Sequence, residues 1–451
     1  MEELFRLLGS TMDLYLTFIK LLEVRQEEGS VDLPDPFKVK RMVFIRNKYT
    51  REENVFNPLR SKRPLPKLEK PERHIEELST QTKEGCDFCR YHEYTARDSL
   101  GRVEGLHSFT AANTFKLDRW HDLVLLKKHD PINWTQEEFL DLMETLLKFE
   151  KVNQADQNYV YPSAIWDLLP HAGASQVHPH LHSFMDKERY QGFQDQWREA
   201  AMRYSGDFPK RNYFSDLIQL HAIMGLTVQY GSAVAFANIV PKKDNEMVIV
   251  SERADRDFFL LWYFVLRGFL DDMQNGTMCF SSGAAFPSMT GDTSSQSLPA
   301  YVRIITRGIV SDNRADISSL ELFTTPNANT DPFHVISVMK ESSSQITVPL
   351  LLASISSQDL VPFTIRERNF QMSWKTNHLI LDLLLYGSLQ VHKVALARRV
   401  VARDSLQATK PNLTFLKPFV RLAPDPCMRI GWKNTVSPAS ISRWILGWSC
   451  L

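Results

Sequence analysis

The chain has 451 residues, with 53 basic and 53 acidic side chains and 43% hydrophobic residues. This length allows two to three domains with an ordinary core, and the balanced charge gives no general electrostatic reason to expect nucleic-acid binding. Five cysteines are too few and too unevenly spaced for a disulfide framework. The sequence has no apolar run of eighteen residues and no signal peptide at its N-terminus, so we expect a cytoplasmic protein that does not bind membranes.

The first elements in chain order are a helix and a connection. Residues 1–30 place apolar and charged residues at helical spacing and predict an amphipathic helix. Residues 60–84 are rich in proline and charge and predict an extended, solvated connection.

Strands and one capped helix follow. SFTAANTF and HDLVLLKKH predict two strands, and NYVYPSAIW and ASQVHPHLHSF predict two more, joined by a tight turn at HAGAS. Between the two pairs, TQEEFLDLMETLLKFEKV predicts a helix. Thr135 is its N-cap and Glu138 occupies the third helical position, which together form a capping box.

A second, weaker copy of this order follows. SAVAFANIVPKKDNEMVIVSE predicts a strand, a turn and a strand, RDFFLLWYFVLRGFLDDM a helix, and AYVRIITRG a strand. The repetition indicates an α+β protein with two related halves, of which the second lacks the histidines of the first. We therefore expect an N-terminal helical segment (1–39), a catalytic, zinc-binding domain (40–190), a second, degenerate domain (191–340) and a C-terminal extension (341–451).

The C-terminal extension has a different composition. It carries thirteen basic and six acidic residues, and no motif in it carries chemistry that can be named. Such an excess fits a solvated face, a partner surface, or an addition to an otherwise complete enzyme. We favour the last of these.

Three histidines, at positions 178, 180 and 182, alternate in QVHPHLHSF. In a strand, alternate side chains project from the same face of the sheet. A lone strand histidine is usually a hydrogen-bonded core residue, but three at this spacing favour chemistry. They can bind a metal, attack a phosphate, or do both.

Two cysteines supply the other half of a metal site. Cys86 and Cys89, in CDFC, have the spacing at which one turn presents two thiolates to a tetrahedral ion. With one histidine of HDLVLLKKHDP, either His121 or His129, and one of the alternating three, they would complete a closed, structural zinc site. The alternative is that the two cysteines are unrelated residues of the hydrophobic core.

His180 is then the candidate nucleophile. Neutral imidazole attacks an α-phosphorus well and forms a labile phosphoramidate. The AGAS turn offers backbone N–H groups and the Ser175 hydroxyl to phosphate oxygens. This hypothesis requires a His180 ring that solvent and substrate can reach.

Gly173-Ala174-Ser175, followed after two residues by His178-Pro179-His180, resembles the active-site segment of the galactose-1-phosphate uridylyltransferases. These belong to the histidine-triad (HIT) superfamily of nucleotide hydrolases and transferases. HDLVLLKKH and NVFNPLRSKRP resemble further segments of that family, and the resemblance covers roughly residues 40–335. It implies two HIT-like halves, each an antiparallel sheet with packed helices.

The resemblance also implies a reaction. A nucleotide sugar would donate its nucleoside monophosphate to His180, and a sugar 1-phosphate or phosphate would then accept it; a homodimer is possible. The resemblance implies Zn²⁺ as cofactor, and it assigns residues to three roles. Catalytic residues are His180, His182 and Ser175; substrate-binding residues are Arg60, Arg63, Asn113, Asp167, Gly173 and Ala174; zinc ligands are Cys86, Cys89, His129 and His178.

Three departures from the family pattern leave alternatives open. The transferases typically have glutamine at the position of His182, whereas histidine there is typical of the hydrolytic branch. Asp167 stands where the family usually has asparagine, and its charge would repel a phosphate unless it is paired or turned away. The second half lacks the family's later H-x-H pair. A HIT-type hydrolase or phosphorylase, or an inactive nucleotide-binding relative, are therefore the alternatives to a transferase.

Overall fold

The computed structural model describes residues 18, 20–28, 41–57, 71–272, 278–290, 298–311 and 327–345. Arg60 and Arg63, most of the N-terminal segment, and the C-terminal extension from residue 346 onward lie outside these residues. None of the helices in this described part combines the length and the apolar composition that crossing a bilayer would need.

A small four-stranded sheet has the strand order β1-β2-β3-β13. Its first three strands pair antiparallel, and β13 joins β3 in parallel. The strands are β1 (Leu22–Glu28), β2 (Arg41–Asn47), β3 (Glu53–Phe56) and β13 (Asn327–Ala328).

Two predictions for the N-terminal region are wrong. The helix predicted over 1–30 does not extend through residues 22–28, which form β1. Leu22 is buried while Glu23 and Arg25 are exposed, so this stretch alternates with period two and pairs with β2. Part of the predicted extended connection is a helix, α1 (Pro71–Lys83), in which Ile75 is buried.

The main sheet has nine strands in the order β4-β5-β7-β6-β11-β12-β10-β9-β8, and every neighbouring pair is antiparallel. The two predicted halves meet at the β6–β11 pair, so their strands form one continuous sheet. The first-half strands are β4 (Ser108–Ala112), β5 (Trp120–Leu126), β6 (Tyr161–Asp167) and β7 (His180–Asp186). The second-half strands are β8 (Thr227–Tyr230), β9 (Ala233–Ala237), β10 (Met247–Ser251), β11 (Met278–Ala285) and β12 (Ala300–Ile309).

Further helices lie in the described part of the chain. They are α2 (Tyr91–Tyr94), α3 (Gln136–Leu146), α4 (Phe149–Ala155), α5 (Gly192–Asp207), α6 (Tyr213–Ile223), α7 (Arg256–Arg267) and α8 (Pro332–Gln345). Short 3₁₀ turns span Asp87–Arg90 and Pro170–Ala172, and a π-helical turn, Gly268–Asp272, follows α7.

The predicted capping box is confirmed at the start of α3. The Glu138 N–H donates to Thr135 Oγ1 over 3.1 Å, and the Thr135 N–H donates to the Glu138 carboxylate over 2.7 Å. The helix buries Phe139 against Trp166 of β6 and Trp262 of α7, with ring centroids 6.2 and 6.1 Å apart. One aromatic core therefore spans both halves on this face of the sheet.

A buried charge cluster fastens the small sheet to the main one. The guanidinium group of Arg303, on β12, donates over 2.6 Å to Glu52 beside β3 and over 2.7 Å to Glu246 beside β10. Lys242 Nζ lies 3.6 Å from the same Glu52 carboxylate. Two cations thus balance two buried anions.

The predicted α+β class with antiparallel sheets is confirmed. The predicted strand over ASQVHPHLHSF begins only at His180, so His178 precedes it. The division at residues 39, 190 and 340 stays a prediction. Strands from both sides of residue 190 belong to the same main sheet.

Candidate functional site

The four predicted metal ligands lie together. The Sγ atoms of Cys86 and Cys89 and ring nitrogens of His129 and His178 are all within 4.8 Å of one another. The 3₁₀ turn that begins after Cys86 brings the two sulfurs to one side. His129 follows β5 and His178 precedes β7, and these strands are neighbours in the sheet.

Hydrogen bonds determine which ring nitrogen His178 and His129 each direct towards the two sulfurs. Nε2 of His178 lies 2.6 Å from the carbonyl oxygen of Leu126, which can only accept, so Nε2 carries the proton. Nδ1 of His178 therefore has a lone pair in the neutral ring. It lies 3.6 Å from each sulfur and 3.3 Å from Nδ1 of His129.

His129 has the same tautomer. Thr82 Oγ1 donates its proton to the Leu78 carbonyl over 2.7 Å, so it accepts from Nε2 of His129, which lies 3.2 Å away. Nδ1 of His129 is then the unprotonated nitrogen, 3.4 Å from the Cys89 sulfur.

Charge and burial leave this cluster incomplete without a cation. Burial lowers the pKa of His178 to about 4 and also lowers the pKa of His129, so both rings are neutral. Burial, and then the neighbouring Cys86, raise the pKa of the Cys89 thiol to about 11. Two nitrogen lone pairs 3.3 Å apart repel each other unless a positive charge lies between them. The Cys2His2 group could therefore hold a metal ion.

His180 lies at the first position of β7 and is 4% exposed. The ring expected to face solvent is therefore buried, against the rings of Phe88 and His182 at centroid distances of 5.5 and 5.4 Å. Its Nδ1 lies 2.7 Å from the carbonyl oxygen of His178, so Nδ1 is the donor and Nε2 has the lone pair. Burial lowers the pKa of His180 and keeps this lone pair free of a proton.

His182 contacts the histidine that the metal cluster leaves out. Its Nδ1 lies 2.8 Å from Nε2 of His121, on the neighbouring strand β5. Nδ2 of Asn113 lies 3.1 Å from the same His121 nitrogen and 3.5 Å from the His182 nitrogen. His121, His182 and Asn113 thus form one polar group beside His180.

The AGAS turn is built differently from the prediction. The N–H groups of Gly173 and Ala174 donate to the carbonyl oxygens of Pro170 and Leu169 over 2.9 and 3.3 Å, so neither remains for a phosphate. Leu169 has a φ of 72°, a strained value for leucine, and Gly173 has a φ of 110° that favours glycine. Ser175 is exposed, and no hydrogen bond within the described part of the chain involves it.

Asp167 is partly buried, and side chains of the second half act on its carboxyl group. Burial raises the pKa of its carboxyl group, while a hydrogen bond from Ser281 and the charge of Arg307 oppose that rise. Ser281 lies directly across from Asp167 on β11, and Arg307 lies on β12.

Ser281 and Arg307 were missed because they come from the second half. No local motif marks them, and only the pairing of β6, β11 and β12 brings them to this site. The predicted phosphate-binding Arg60 and Arg63 lie outside the described residues.

No family model matches the chain, and no curated protein matches it. Solved structures do. An ADP-glucose phosphorylase from Arabidopsis thaliana with bound ADP-glucose is 14% identical and aligns over 67% of this chain and 99% of its own length, with a TM-score of 0.51. A uridylyltransferase is 12% identical over 68% of this chain and 99% of its own, with a TM-score of 0.47. A galt-like protein from Arabidopsis thaliana is 15% identical over 57% and 92%, with a TM-score of 0.46.

The similarity to the ADP-glucose phosphorylase establishes the fold. The chain shares the fold of this ADP-glucose phosphorylase, in agreement with the α+β class that its sequence predicts.

Proposed function

We propose that this chain is a nucleotidyltransferase that moves a nucleoside monophosphate from a nucleotide sugar to a sugar 1-phosphate or phosphate through a covalent intermediate on His180. The tautomer of His180 is the observation that carries this proposal. Because Nδ1 donates to the carbonyl oxygen of His178 over 2.7 Å, Nε2 is an unprotonated nitrogen with a lone pair, as a nucleophile requires.

The reaction takes place in two displacements. Nε2 of His180 forms a bond to the α-phosphorus, and the bond from that phosphorus to the bridging oxygen breaks, which releases the sugar 1-phosphate. An oxygen of the phosphate acceptor then attacks the same phosphorus, and the electron pair of the P–N bond returns to Nε2. The Nδ1–H bond to the backbone stabilises the positive charge that the ring carries in between.

Zinc is the metal that the Cys2His2 group fits. A tetrahedral zinc ion with its usual bond lengths separates two nitrogens by about 3.4 Å and a nitrogen from a sulfur by about 3.6 Å. The nitrogens of His129 and His178 are 3.3 Å apart, and the nitrogen–sulfur distances are 3.4 to 3.6 Å. Four protein ligands leave no open position, so zinc would be structural and would fix the His178 backbone that orients His180.

The ADP-glucose phosphorylase that shares this fold supports inorganic phosphate as the first acceptor to test. It is a phosphorylase with ADP-glucose bound, and it shares the fold of this chain. With phosphate as acceptor, an ADP-sugar would give ADP and a sugar 1-phosphate.

Intact-protein mass spectrometry after incubation with ADP-glucose or UDP-glucose tests the proposal. We expect a mass increase of one AMP or UMP, and peptide mapping should place it on His180. The His180→Ala variant should gain nothing. His334→Ala, an exposed histidine on α8, is the matched control and should be labelled like the wild type.

Two observations favour other functions, and the same experiment separates them. His182 at the position of the transferase glutamine favours a hydrolase, which would release monophosphate continuously without an acceptor. The nucleophile hypothesis requires a His180 ring that substrate can reach, and the 4% exposure of this ring does not meet that requirement, which favours an inactive nucleotide-binding relative. That relative would bind nucleotide equally well with and without the His180 ring and would never be labelled.

A further inference from the structure

The second half of the chain reaches the candidate site through the last residues of β12. Asp167 on β6 pairs across the sheet with Ser281 on β11, and Ser281 pairs with Ile305 on β12. Arg307 follows Ile305 by two residues, at the point where the β11–β12 register shifts, and its charge reaches the Asp167 carboxyl group. The sheet therefore brings Arg307, a cation of the second half, towards β6, which is the neighbour of β7.

Close packing holds this end of β12 against the turn that precedes the histidines. A Cβ atom on Gly308 would lie 3.4 Å from Nε2 of His171, and Gly308 has a φ of 88°, so glycine suits this position. Ser281 Oγ lies 3.5 Å from the carbonyl oxygen of Ala172. On the other side of the turn, a Cβ atom on Gly173 would lie 3.9 Å from Oδ2 of Asp167.

Building on the proposed function, we infer that Arg307 binds the phosphate that faces His180 and that Asp167 positions its guanidinium group. Arg307 is half-buried, and its charge acts on the Asp167 carboxyl group, which in turn acts on His180. The two side chains come from two halves of the chain, and the charge of Arg307 favours the ionised form of the Asp167 carboxyl group.

The position of Arg307 explains how an aspartate at position 167 is compatible with a phosphate site. An unpaired carboxylate beside His180 would repel an incoming α-phosphate, whereas a carboxylate that neutralises and orients an arginine does not. Arg307 also supplies the phosphate donors that the AGAS turn lacks. The N–H groups of Gly173 and Ala174 already donate to carbonyl oxygens within the turn. A guanidinium group offers two parallel N–H donors to phosphate oxygens.

Four variants test the inference: Arg307→Gln, Asp167→Asn, the double variant, and Arg253→Gln, which changes an exposed arginine beside α7. The first readout is the rate of covalent labelling over a range of ADP-glucose and UDP-glucose concentrations. The second is calorimetric titration with inorganic phosphate, and thermal unfolding checks that each variant folds.

We expect Arg307→Gln to slow labelling at saturation by roughly 100-fold, the usual effect of removing one donor to a developing charge. It should also abolish phosphate binding. The double variant should recover roughly tenfold of the lost rate, because Asp167→Asn removes the carboxylate that Arg307→Gln leaves uncompensated. Arg253→Gln should behave like the wild type. A purely structural Arg307 would not be rescued by a change at Asp167.

The outcomes also separate this inference from the proposed function. Labelling of the wild type and Arg307→Gln at equal rates overturns the inference alone, as does a double variant no faster than Arg307→Gln. A wild type that binds phosphate through Arg307 but is never labelled supports the anion site and overturns the transferase. A wild type that neither binds phosphate nor is labelled overturns both.

Discussion

Nε2 of His121 lies 2.8 Å from Nδ1 of His182, and a backbone group determines which ring donates. The N–H of Leu117 donates to Nδ1 of His121 over 3.0 Å, so the proton of the neutral His121 ring is on Nε2. His121 therefore donates to His182, whose own proton is on Nε2. Burial lowers the pKa of both rings to about 4, which keeps these tautomers in place at neutral pH.

We predict that His182→Gln lengthens the life of the covalent adduct. The ring N–H that can assist the departing group when water attacks is lost, while the amide still accepts from His121. Decay of the adduct without acceptor, followed by mass spectrometry, should slow on the order of 100-fold. Discharge by added phosphate should slow much less. Equal decay in both proteins would show that His182 has no part in hydrolysis.

Each of the two cysteines of the metal group should be needed both for metal binding and for a stable fold. We expect Cys86→Ser and Cys89→Ser to lose bound zinc and to unfold at lower temperature, because the ion contributes its binding free energy to folding. Plasma mass spectrometry gives the metal content. Cys279→Ser is the matched control, since Cys279 is fully buried on β11 away from the group, and it should retain zinc. Full zinc content in Cys86→Ser would contradict this assignment.

Asp122 should make the protein less stable as the pH rises. It lies on β5 next to His121 but on the opposite face. Burial, followed by the charge of Asp98, raises its pKa to about 7, although Lys116 lies 4.0 Å away. The folded chain therefore retains a proton that the unfolded chain loses near pH 4, and its free energy of unfolding falls between about pH 4 and pH 7. That fall amounts to a few kcal/mol at most.

The Asp122→Asn variant removes this pH dependence while keeping the side-chain shape. In urea denaturation, its gain in the free energy of unfolding over the wild type should be larger at pH 8 than at pH 5, by about 2 kcal/mol. Asp272→Asn changes an exposed carboxylate after α7 and should give the same small difference at both pH values. A constant gain for Asp122→Asn would rule out its titration as the cause.

Glu52→Gln should be strongly destabilising. Although burial opposes ionisation, the charges of Arg303 and Lys242 lower the pKa of Glu52, so it stabilises the fold above the pKa of the unfolded state and loses this effect in acid. Removing it leaves buried Arg303 with one anion fewer, at a cost of about 3–5 kcal/mol in unfolding free energy. Glu23→Gln, in a surface pair 3.9 Å from Arg46, should cost less than about 1 kcal/mol in the same denaturation assay.

Several features of the fold could be predicted locally. The capping box of α3 depends on contacts within three residues, and the cysteine spacing in CDFC depends on one turn. The strand at Leu22–Glu28 could not be predicted in the same way, because its alternation is short and only pairing with β2 outweighs its helical spacing.

The sequence by itself determined the chemistry that is available: three alternate histidines, two spaced cysteines and an α+β order of elements. Only the tertiary structure decided how that chemistry is arranged. It buried His180, joined His121 to His182 and paired Asp167 with residues of the second half. The physical reason is that tautomers, burial and charge compensation depend on groups far apart in the chain, whose meeting is set by strand order and not by local spacing.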